Sequence, residues 1–396
     1  MSAIDSKMGR VVQNAEIDRE APQPEIHIEE RRLALGDFLK TVIKVNGSDL
    51  HLQADSIPMI RVDGRARFLD CPAATNDQVK EYIDLMLGKD EERKAIFKNR
   101  GAVDLSYVMP DGSARFRVNV FHSRQKYAIV MRRIITRIPN FDELNLPPQV
   151  ETLADHHRGI VVISGTTGCG KTTTLAAIIG KINRMRSERI ITIEDPIEYA
   201  HENVRSLVSQ IEVGTDTESY DYALREVMRQ DPDTILIGEV RDTFSLTTAL
   251  RAADTGHLVF STVHATNASM TVERMVSLFD PAQKELQQAQ LGMNLIAVCC
   301  QRLAKRREGK GRVPAVEVMM ATPLVRKYIL EGEYEKLKGT VGNREAGSQS
   351  FDQHLAEMFQ KQIIDVAEAR RLASNPDALN LALRGISNSD TRIRAS

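Results

Sequence analysis

The 396-residue chain has no tryptophan, few aromatic residues and only four cysteines. The cysteines, Cys71, Cys169, Cys299 and Cys300, form no CxxC pair, so their spacing supplies neither a disulfide framework nor a four-cysteine zinc site. We interpret them as reduced thiols. The sequence also lacks a run of about 18 uncharged apolar residues, the length that a membrane-spanning helix needs, and its N-terminal residues lack the apolar core of a signal peptide. These absences favour a cytoplasmic location.

The sequence also has no excess of positive or negative charge. The chain has 53 Lys and Arg residues against 54 Asp and Glu residues, a formal net charge of -1. A general nucleic-acid coat protein would carry a basic excess, so no nucleic-acid partner is expected. Hydrophobic residues make up 42% and charged residues 27% of the chain, which is typical of soluble globular proteins. A chain of this length is expected to form two or three domains.

Composition and periodicity divide the chain into five segments. We predict a flexible leader at 1–30, an α+β domain at 31–138, a linker at 139–150, an α/β domain with C-terminal helices at 151–385, and a flexible tail at 386–396.

The predicted α+β domain combines helical and strand patterns. Apolar residues at helical spacing predict a helix that ends at Asn46-Gly47. Alternating residues then predict a hairpin that turns at Asp63-Gly64, and a second helix is predicted near residues 76–97. A second hairpin across Pro110-Asp111-Gly112 and one more strand complete the domain.

Beyond residue 150 the pattern changes to buried strands that alternate with helices. The apolar run RGIVVISG and three further β-rich runs, RIITIED, TILIGEV and HLVFSTVHA, are separated by helical segments such as KTTTLAAIIGKINRM. Strands that are apolar throughout and alternate with helices are typical of a parallel α/β sheet with both faces covered. From about Pro281 onward the rest of the chain is predicted to be helical.

Residues 165–172, GTTGCGKT, fit the pattern GxxxxGK[ST] of a phosphate-binding loop and lie between a predicted strand and a predicted helix, as that loop requires. Its glycines let backbone N–H groups surround phosphate oxygens in front of a helix N-terminus. Lys171 is predicted to contact the β- and γ-phosphates, and the Thr172 hydroxyl to coordinate Mg²⁺. The sequence therefore predicts a nucleotide-binding protein. The predicted binding residues are Gly165, Thr166, Thr167, Gly168, Cys169, Gly170, Lys171, Thr172 and Thr173.

Two apolar strands deliver carboxylates at their C-terminal ends. Glu239 follows the strand in DPDTILIGEV, and Glu194 and Glu198 lie in ITIEDPIEY. Because the carboxyl ends of parallel strands face the ligand crevice of an open α/β sheet, we expect these acids near the phosphates. Glu239 would hold the metal-bound water or orient the attacking one, so Thr172 and Glu239 are the predicted metal-site residues. The alternative is that Glu194 and Glu198 are solvated turn residues.

Histidines and arginines complete the set of candidate residues. His264 follows a buried strand at the same edge as the carboxylates, which suggests a role in sensing the γ-phosphate. His257 begins that strand and could instead contact a neighbouring subunit. A basic strand face is either solvated or contributes an arginine finger that reaches a phosphate across a domain or subunit boundary. Arginines recur through the second hairpin and the strand after it, at Arg115, Arg117, Arg124, Arg132 and Arg133.

Four motifs in fixed order, GTTGCGKT, ITIEDPIEY, DPDTILIGEVRD and TGHLVFSTVHATNA, resemble those of the secretion and type IV pilus motor ATPases, and within them the retraction ATPases of the PilT and PilU type. The segments SDLHLQADSIPMIRVDG and ARFRVNVFHSR are similar to the small N-terminal domain of that family. The resemblance runs from about Leu33 to about Leu372. Cys169 stands where the family loop usually has serine, which should fit because the loop contacts phosphate through backbone N–H groups.

The resemblance implies a RecA-like P-loop ATPase domain preceded by a smaller α+β domain of PAS-like type. It also implies a homohexameric ring that binds ATP and Mg²⁺ between the two domains of each subunit. Glu239 matches the Walker B glutamate, and Glu194 the acidic-box glutamate. The histidine box is matched by His257 and His264. The predicted catalytic residues are Glu239, Glu194, His264, His257, Arg117 and Arg124.

The function that the resemblance implies is ATP-driven retraction of type IV pili, that is, pilus disassembly in twitching motility. The implied partners are further copies of the chain, the inner-membrane pilus platform protein and a paralogous retraction ATPase. Through that machinery the cytoplasmic protein would be peripheral to the inner membrane.

Three alternatives are weighed against retraction. A pilus-assembly or type II secretion ATPase commonly carries a tetracysteine metal site, which this sequence lacks. A non-hydrolysing accessory ring subunit is disfavoured because Lys171, Thr172, Glu194, Glu239 and His264 are all present. A nucleic-acid translocase would need a basic or aromatic pore surface, and the chain has balanced charge and no tryptophan. No clear match to an AIRAGG-like signature is present, so primary and accessory motors both stay open.

Overall fold

The computed structural model describes residues 33–62, 65–134, 137–308 and 311–383. These residues form two compact units. One unit extends up to Asp104 and includes Val118–Arg132, and the other contains Leu105–Arg117 and the chain from Arg133 onward. The predicted leader at 1–30, the predicted tail at 386–396 and the turn residues Asp63-Gly64 lie outside the described residues.

The N-terminal part of the chain forms a six-stranded sheet with three helices. The order of the strands across the sheet is β3-β2-β1-β6-β5-β4. Its strands are β1 (Asp49–Gln53), β2 (Met59–Val62), β3 (Arg65–Phe68), β4 (Ala102–Val108), β5 (Arg115–Ser123) and β6 (Lys126–Ile134). Its helices are α1 (Leu35–Lys44), α2 (Asn76–Leu87) and α3 (Glu91–Arg100).

The helix α1 packs on this sheet through an apolar stripe. Leu35, Phe38, Leu39 and Val42 recur at helical spacing and are all buried, as expected for the core-facing side of an amphipathic helix. Antiparallel pairing of β1 with β2 and with β6 places β1 inside the sheet. The predicted α+β fold is thereby confirmed. The helix predicted near residues 76–97 is in fact two helices, because α2 ends at Gly88 and Asp90 caps α3.

The C-terminal part forms a seven-stranded sheet. Its order is β13-β12-β7-β11-β10-β8-β9. Neighbouring strands are parallel except for the antiparallel pair β12 and β13. The strands are β7 (Gly159–Gly165), β8 (Arg189–Glu194), β9 (Leu207–Glu212), β10 (Thr234–Ile237), β11 (Leu258–Val263), β12 (Leu295–Lys305) and β13 (Arg312–Met320).

Helices cover both faces of this sheet. Alternate residues of β7 enter two separate cores: Ile160 and Val162 lie in one, Val161 and Ile163 in the other. The first core includes helices α7–α15 and the second includes α4–α6. The helices are α4 (Phe141–Leu144), α5 (Pro148–Glu151), α6 (Lys171–Met185), α7 (Tyr220–Val227), α8 (Thr243–Asp254), α9 (Ala268–Ser277), α10 (Lys284–Asn294), α11 (Pro323–Glu331), α12 (Tyr334–Val341), α13 (Phe351–Gln360), α14 (Val366–Leu372) and α15 (Pro376–Leu383).

The segment predicted as a linker, 139–150, contains α4 and most of α5. Its side chains Phe141, Leu146 and Val150 are buried in the same core as α6. These residues therefore fold as part of the second unit. Among the helices that the structure describes, none is both long and apolar enough to cross a bilayer.

The prediction that the chain is helical from about Pro281 onward was wrong. Leu295–Lys305 is the strand β12, which pairs in parallel with β7 and antiparallel with β13. Most residues of β12 are buried, and a strand covered on both faces has an apolar run that periodicity alone does not distinguish from a buried helix. The edge strand β9 was not predicted, because its alternation is weak.

Candidate active site

A cavity of about 280 Å³ opens at the carboxyl ends of the central parallel strands of the second unit. The residues in its wall come from the phosphate-binding loop after β7, the acidic motifs after β8 and β10, and the end of β11. This placement follows from the parallel pairing, which aligns the ends of neighbouring strands. The cavity brings together seven of the predicted residues: Thr167, Gly168, Lys171, Thr172, Glu194, Glu239 and His264.

The phosphate-binding loop depends on Gly165 at the end of β7. Its φ angle is +144°, and a Cβ atom there would lie 2.5 Å from the Cys169 Sγ and 2.6 Å from the Gln301 carbonyl oxygen. Only glycine avoids both contacts. At the other end of the loop Gly170 begins α6 without a side-chain cap, so the first N–H groups of the helix are available to an anion.

Lys171 lies across the loop. Its Nζ donates hydrogen bonds to the carbonyl oxygens of Gly165 (3.0 Å) and Thr166 (3.2 Å). The ammonium group is therefore held at the loop that surrounds the phosphates in proteins of this type. Thr172 follows it in the first turn of α6, and both side chains face the cavity.

The remaining loop residues occupy different positions. Thr167 and Gly168 line the cavity, and Thr166 is exposed beside them. Cys169 is only 3% exposed, and burial raises the pKa of its thiol, with Lys171 opposing that shift. The thiol is therefore a packed, protonated group under the loop, which argues against a reactive cysteine.

The segment that begins at the end of the acidic motif ITIEDPIEY is hydrogen-bonded to α6 at two places. Near the start of the helix the Thr173 and Tyr199 hydroxyl groups are 3.0 Å apart. Near its end the Asn183 side chain donates to the Glu202 carbonyl oxygen (2.6 Å) and accepts from the Val204 backbone N–H (3.1 Å). We call residues 199–206 the strap.

Glu194 is a buried acid at the end of β8. It is 6% exposed, and its Oε1 accepts hydrogen bonds from the Thr192 hydroxyl (2.7 Å) and the Gln210 amide (3.1 Å). Burial raises the pKa of this carboxyl group; the two hydrogen bonds oppose the shift, and Glu198 and Glu212 add to it. Glu194 is thus not a solvated turn residue, whereas Glu198 is exposed at the rim of the cavity.

Glu239 lies between two nitrogen-bearing side chains. Its Oε2 accepts a hydrogen bond from Arg241 Nε at 2.7 Å, and its Oε1 is 3.3 Å from His264 Nε2. Pairing of Ile237 with Ser261 places the ends of β10 and β11 side by side, which explains why Glu239 and His264 meet. Both oxygens of the carboxylate are therefore fixed in direction at the edge of the cavity.

Three predicted catalytic residues are placed elsewhere. His257 lies at the amino end of β11, and its Nδ1 is 2.9 Å from the Ala252 carbonyl oxygen, a contact that closes the end of α8. Arg117 lies on β5, and Arg124 lies in the turn between β5 and β6. None of the three is in the wall of the cavity, and their roles stay predictions.

Arg241 and Tyr220 are among the cavity residues that the sequence reasoning missed. Arg241 lies two positions after Glu239, within the motif GEVRD, so a closer look at that motif would have suggested it. Tyr220 is the first residue of α7. It lies in the cavity wall, but no pattern in the sequence connects it to the acidic strands.

The donor set of the cavity fits Mg²⁺. The Thr172 hydroxyl and the Glu239 carboxylate line the same space, and Mg²⁺ prefers such hard oxygen ligands, usually one or two carboxylates together with substrate phosphates. Thr172 and Glu239 are the residues that would hold the ion.

A phosphate-binding loop at the end of a buried strand, with an acid at the end of a nearby strand, defines a P-loop nucleotide-binding protein. The chain belongs to the family described as type II/IV secretion system protein, whose model matches residues 32–370. This membership confirms the resemblance and the two-domain fold class predicted from the four motifs.

Relatives of known name cover most of the chain. It is 40% identical over 343 residues to a protein named type IV pilus retractation ATPase PilT from Pseudomonas aeruginosa, covering 86% of this chain and 98% of the relative. It is 39% identical over 324 residues to a twitching motility protein from Neisseria gonorrhoeae, covering 82% and 86%. A crystal structure of the pilus retraction motor PilT with bound ADP superposes with a TM-score of 0.80 at 35% identity, covering 88% of this chain and 99% of that one.

Proposed function

We propose that the chain is an ATP-hydrolysing motor that drives retraction of type IV pili. The names of the two relatives and of the solved structure support this function. The observation that carries the hydrolytic part is Glu239, which is held by Arg241 and His264 in the same cavity as Lys171 and Thr172. This carboxylate could hold Mg²⁺ and orient the attacking water, and the second role is what hydrolysis adds to binding.

The chemistry follows from the residues of the loop and the acidic strands. Loop N–H groups and Lys171 stabilise the negative charge that develops on the phosphates. Mg²⁺ bound with the nucleotide would neutralise phosphate charge. Glu239 is the better candidate to orient the attacking water, because Glu194 is buried, its pKa is raised and its Oε1 already accepts two hydrogen bonds.

The assembly that we propose is a homohexameric ring at the cytoplasmic face of the inner membrane. Hydrolysis at successive subunits would drive rigid-body steps that act on the pilus platform protein, with a paralogous retraction ATPase as a further partner. In the assembled ring Arg117 and Arg124 would contact the phosphates of the nucleotide, and His257 a neighbouring subunit.

Steady-state ATP hydrolysis with Mg²⁺ tests the proposal. We expect Lys171→Ala to lose nucleotide affinity, because the ammonium group no longer opposes the phosphate charge. Glu239→Gln should keep ATP binding and lose roughly 100-fold or more in turnover, the range typical of a lost general base. The exposed pairs on other helices supply matched controls: Lys327→Ala and Glu335→Gln should behave as wild type.

Two results would contradict the proposal in different ways. Tight ATP binding by the wild type without any turnover would indicate a non-hydrolysing accessory subunit. Turnover that survives in Glu239→Gln would show that another group orients the water, and Glu194→Gln would then identify or exclude the second acid.

A further inference from the structure

Tyr220 is the first residue of α7, and its hydroxyl group reaches the cavity. The helix begins there because the Ser219 side chain accepts a hydrogen bond from the Tyr222 N–H at 3.2 Å. This cap fixes the direction in which the aromatic ring leaves the helix. The neighbouring Tyr222 is 58% exposed and outside the cavity.

The Tyr220 hydroxyl lies between the ends of β8 and β10. It donates to the carbonyl oxygen of Ile193 at 3.3 Å, and the same oxygen accepts the backbone N–H of Gly238 at 2.8 Å. A Cβ atom on Gly238 would lie 2.5 Å from this hydroxyl. The hydroxyl therefore fills the space that a side chain at position 238 would take.

The two residues touched by the hydroxyl directly precede the two acids of the site. Ile193 comes before Glu194, and Gly238 comes before Glu239. A single O–H group thus contacts the backbone of both acidic strands at the last position before each carboxylate. A shift of either strand end would change the distance between the acids and would break or compress this contact.

The surroundings keep the hydroxyl protonated. Burial, then the nearby Asp195, raises the pKa of Tyr220 above its ordinary value, and the charges of Glu194 and Glu239 act in the same direction while Arg241 opposes them. Because the group does not ionise near neutral pH, it remains a hydrogen-bond donor throughout the working range.

We propose that Tyr220 is a positioning residue for ATP hydrolysis, whose hydroxyl group fixes the spacing between the strand ends that carry Glu194 and Glu239. This inference rests on the proposed function. It concerns the chemical step rather than nucleotide binding, because the Tyr220 hydroxyl contacts the backbone behind the acids and the phosphate-binding loop lies on another strand.

Tyr220→Phe removes only the hydroxyl group, and Tyr222→Phe on the same helix is the matched control. We expect kcat to fall roughly five- to tenfold in Tyr220→Phe, the effect of about one lost hydrogen bond. The KM for ATP, the Kd for ATP and the melting temperature should stay close to those of the wild type. Tyr222→Phe should leave all four quantities unchanged.

A second pair of variants tests the contact itself. Gly238→Ala places a methyl group against the hydroxyl and should lower kcat strongly. In Gly238→Ala combined with Tyr220→Phe the nearest remaining contacts of that methyl are the Ile193 carbonyl oxygen at 3.1 Å and the Glu194 Cα at 3.5 Å. We therefore expect the double variant to be more active than Gly238→Ala alone, which would show that the hydroxyl group and a side chain at position 238 compete for the same space.

The outcomes separate this inference from the proposed function. An active wild type with an equally active Tyr220→Phe would overturn the positioning role alone. So would a loss of kcat accompanied by an equal loss of ATP affinity or by unfolding, or a double variant no better than Gly238→Ala. A wild type that binds ATP without turnover would overturn the proposed function, and the positioning role with it.

Discussion

Glu194 shows at the scale of one residue how a buried acid of the candidate site affects the stability of the fold. Its carboxyl group is 6% exposed, and burial raises its pKa above the ordinary value of 4.5. Below that value both the folded and the unfolded states hold the proton. As the pH rises, the unfolded state releases the proton first, so the stability that the protonated group contributes is lost as the pH passes through the folded pKa.

We therefore predict that Glu194→Gln becomes more stable relative to wild type as the pH rises from 4 to 8. The glutamine keeps an oxygen for the Thr192 and Gln210 donors and carries no charge to desolvate. Urea unfolding at several pH values measures the difference. A difference that is constant with pH would contradict the role assigned to burial.

Gly165 gives a second prediction at this scale. Gly165→Ala should destabilise the protein by roughly 1–3 kcal/mol or more, because the new methyl group would collide with Cys169 and with the Gln301 backbone at an unfavourable φ angle. Gly168→Ala is the matched control: its φ is also positive, at +74°, but no atom lies within 4 Å of the added Cβ.

Unfolding in urea compares the two glycine variants directly. Gly165→Ala should lose clearly more stability than Gly168→Ala. Equal losses would show that backbone conformation alone sets the cost and that the tight packing of the loop against β12 contributes little.

The sequence predicted the order of strand, loop and helix around Lys171 and Thr172, because that order is local. One strand, one turn and one helix fix the positions of Lys171 and Thr172, and the motif GTTGCGKT marks the turn between them. Tyr220 could not be found in the same way. Its contact with Ile193 and Gly238 exists only after two separate strands and a helix have folded together.

At the scale of elements, α13 is attached to β13 through a buried histidine. His354 Nδ1 accepts the backbone N–H of Val316 at 2.9 Å, and burial lowers the pKa of the ring from 6.5 to about 4. Because the folded pKa is depressed, the stability from this group is fully present above pH 6.5. It is lost as the pH falls through the window from 6.5 to about 4.

We predict that the free energy of unfolding of the wild type falls by roughly 3 kcal/mol between pH 7 and pH 4 because of His354. This is the effect expected from a pKa shift of this size. His354→Gln should lose less stability than wild type over that interval. His157→Gln is the control, since the His157 side chain is 77% exposed. Parallel losses in wild type and His354→Gln would contradict the assignment.

The elements α6 and β12 show where the prediction of helices and strands succeeded and where it failed. The helix α6 was predicted with its observed bounds, because a loop motif marks its start and apolar residues recur at helical spacing. The strand β12 was taken for a helix, because Leu295–Cys300 is a short apolar run that directly follows the helical pattern of KELQQAQ. What makes it a strand is its pairing with β7 and β13, a long-range interaction that no local pattern reveals.

At the scale of the whole molecule, we predict that six copies of the chain assemble into a ring. Light scattering with Mg²⁺ and a non-hydrolysable ATP analogue should give a particle of six times the mass of one chain. Arg117→Ala and Arg124→Ala should lower turnover in that particle, while Arg67→Ala, a partly exposed arginine on β3, should not. A mass that stays at one or two chains over a wide concentration range would contradict the ring.

The strap, residues 199–206, has a mechanical consequence for such a machine. It is bonded to Thr173 at the start of α6 and to Asn183 near its end, so the acidic loop and the phosphate helix are joined outside the sheet. If the proposed motor moves the strap, we expect α6 to move with it, because the strap is attached near both ends of the helix. In such a motor the helix expected to bind the phosphates would also carry movement away from the site.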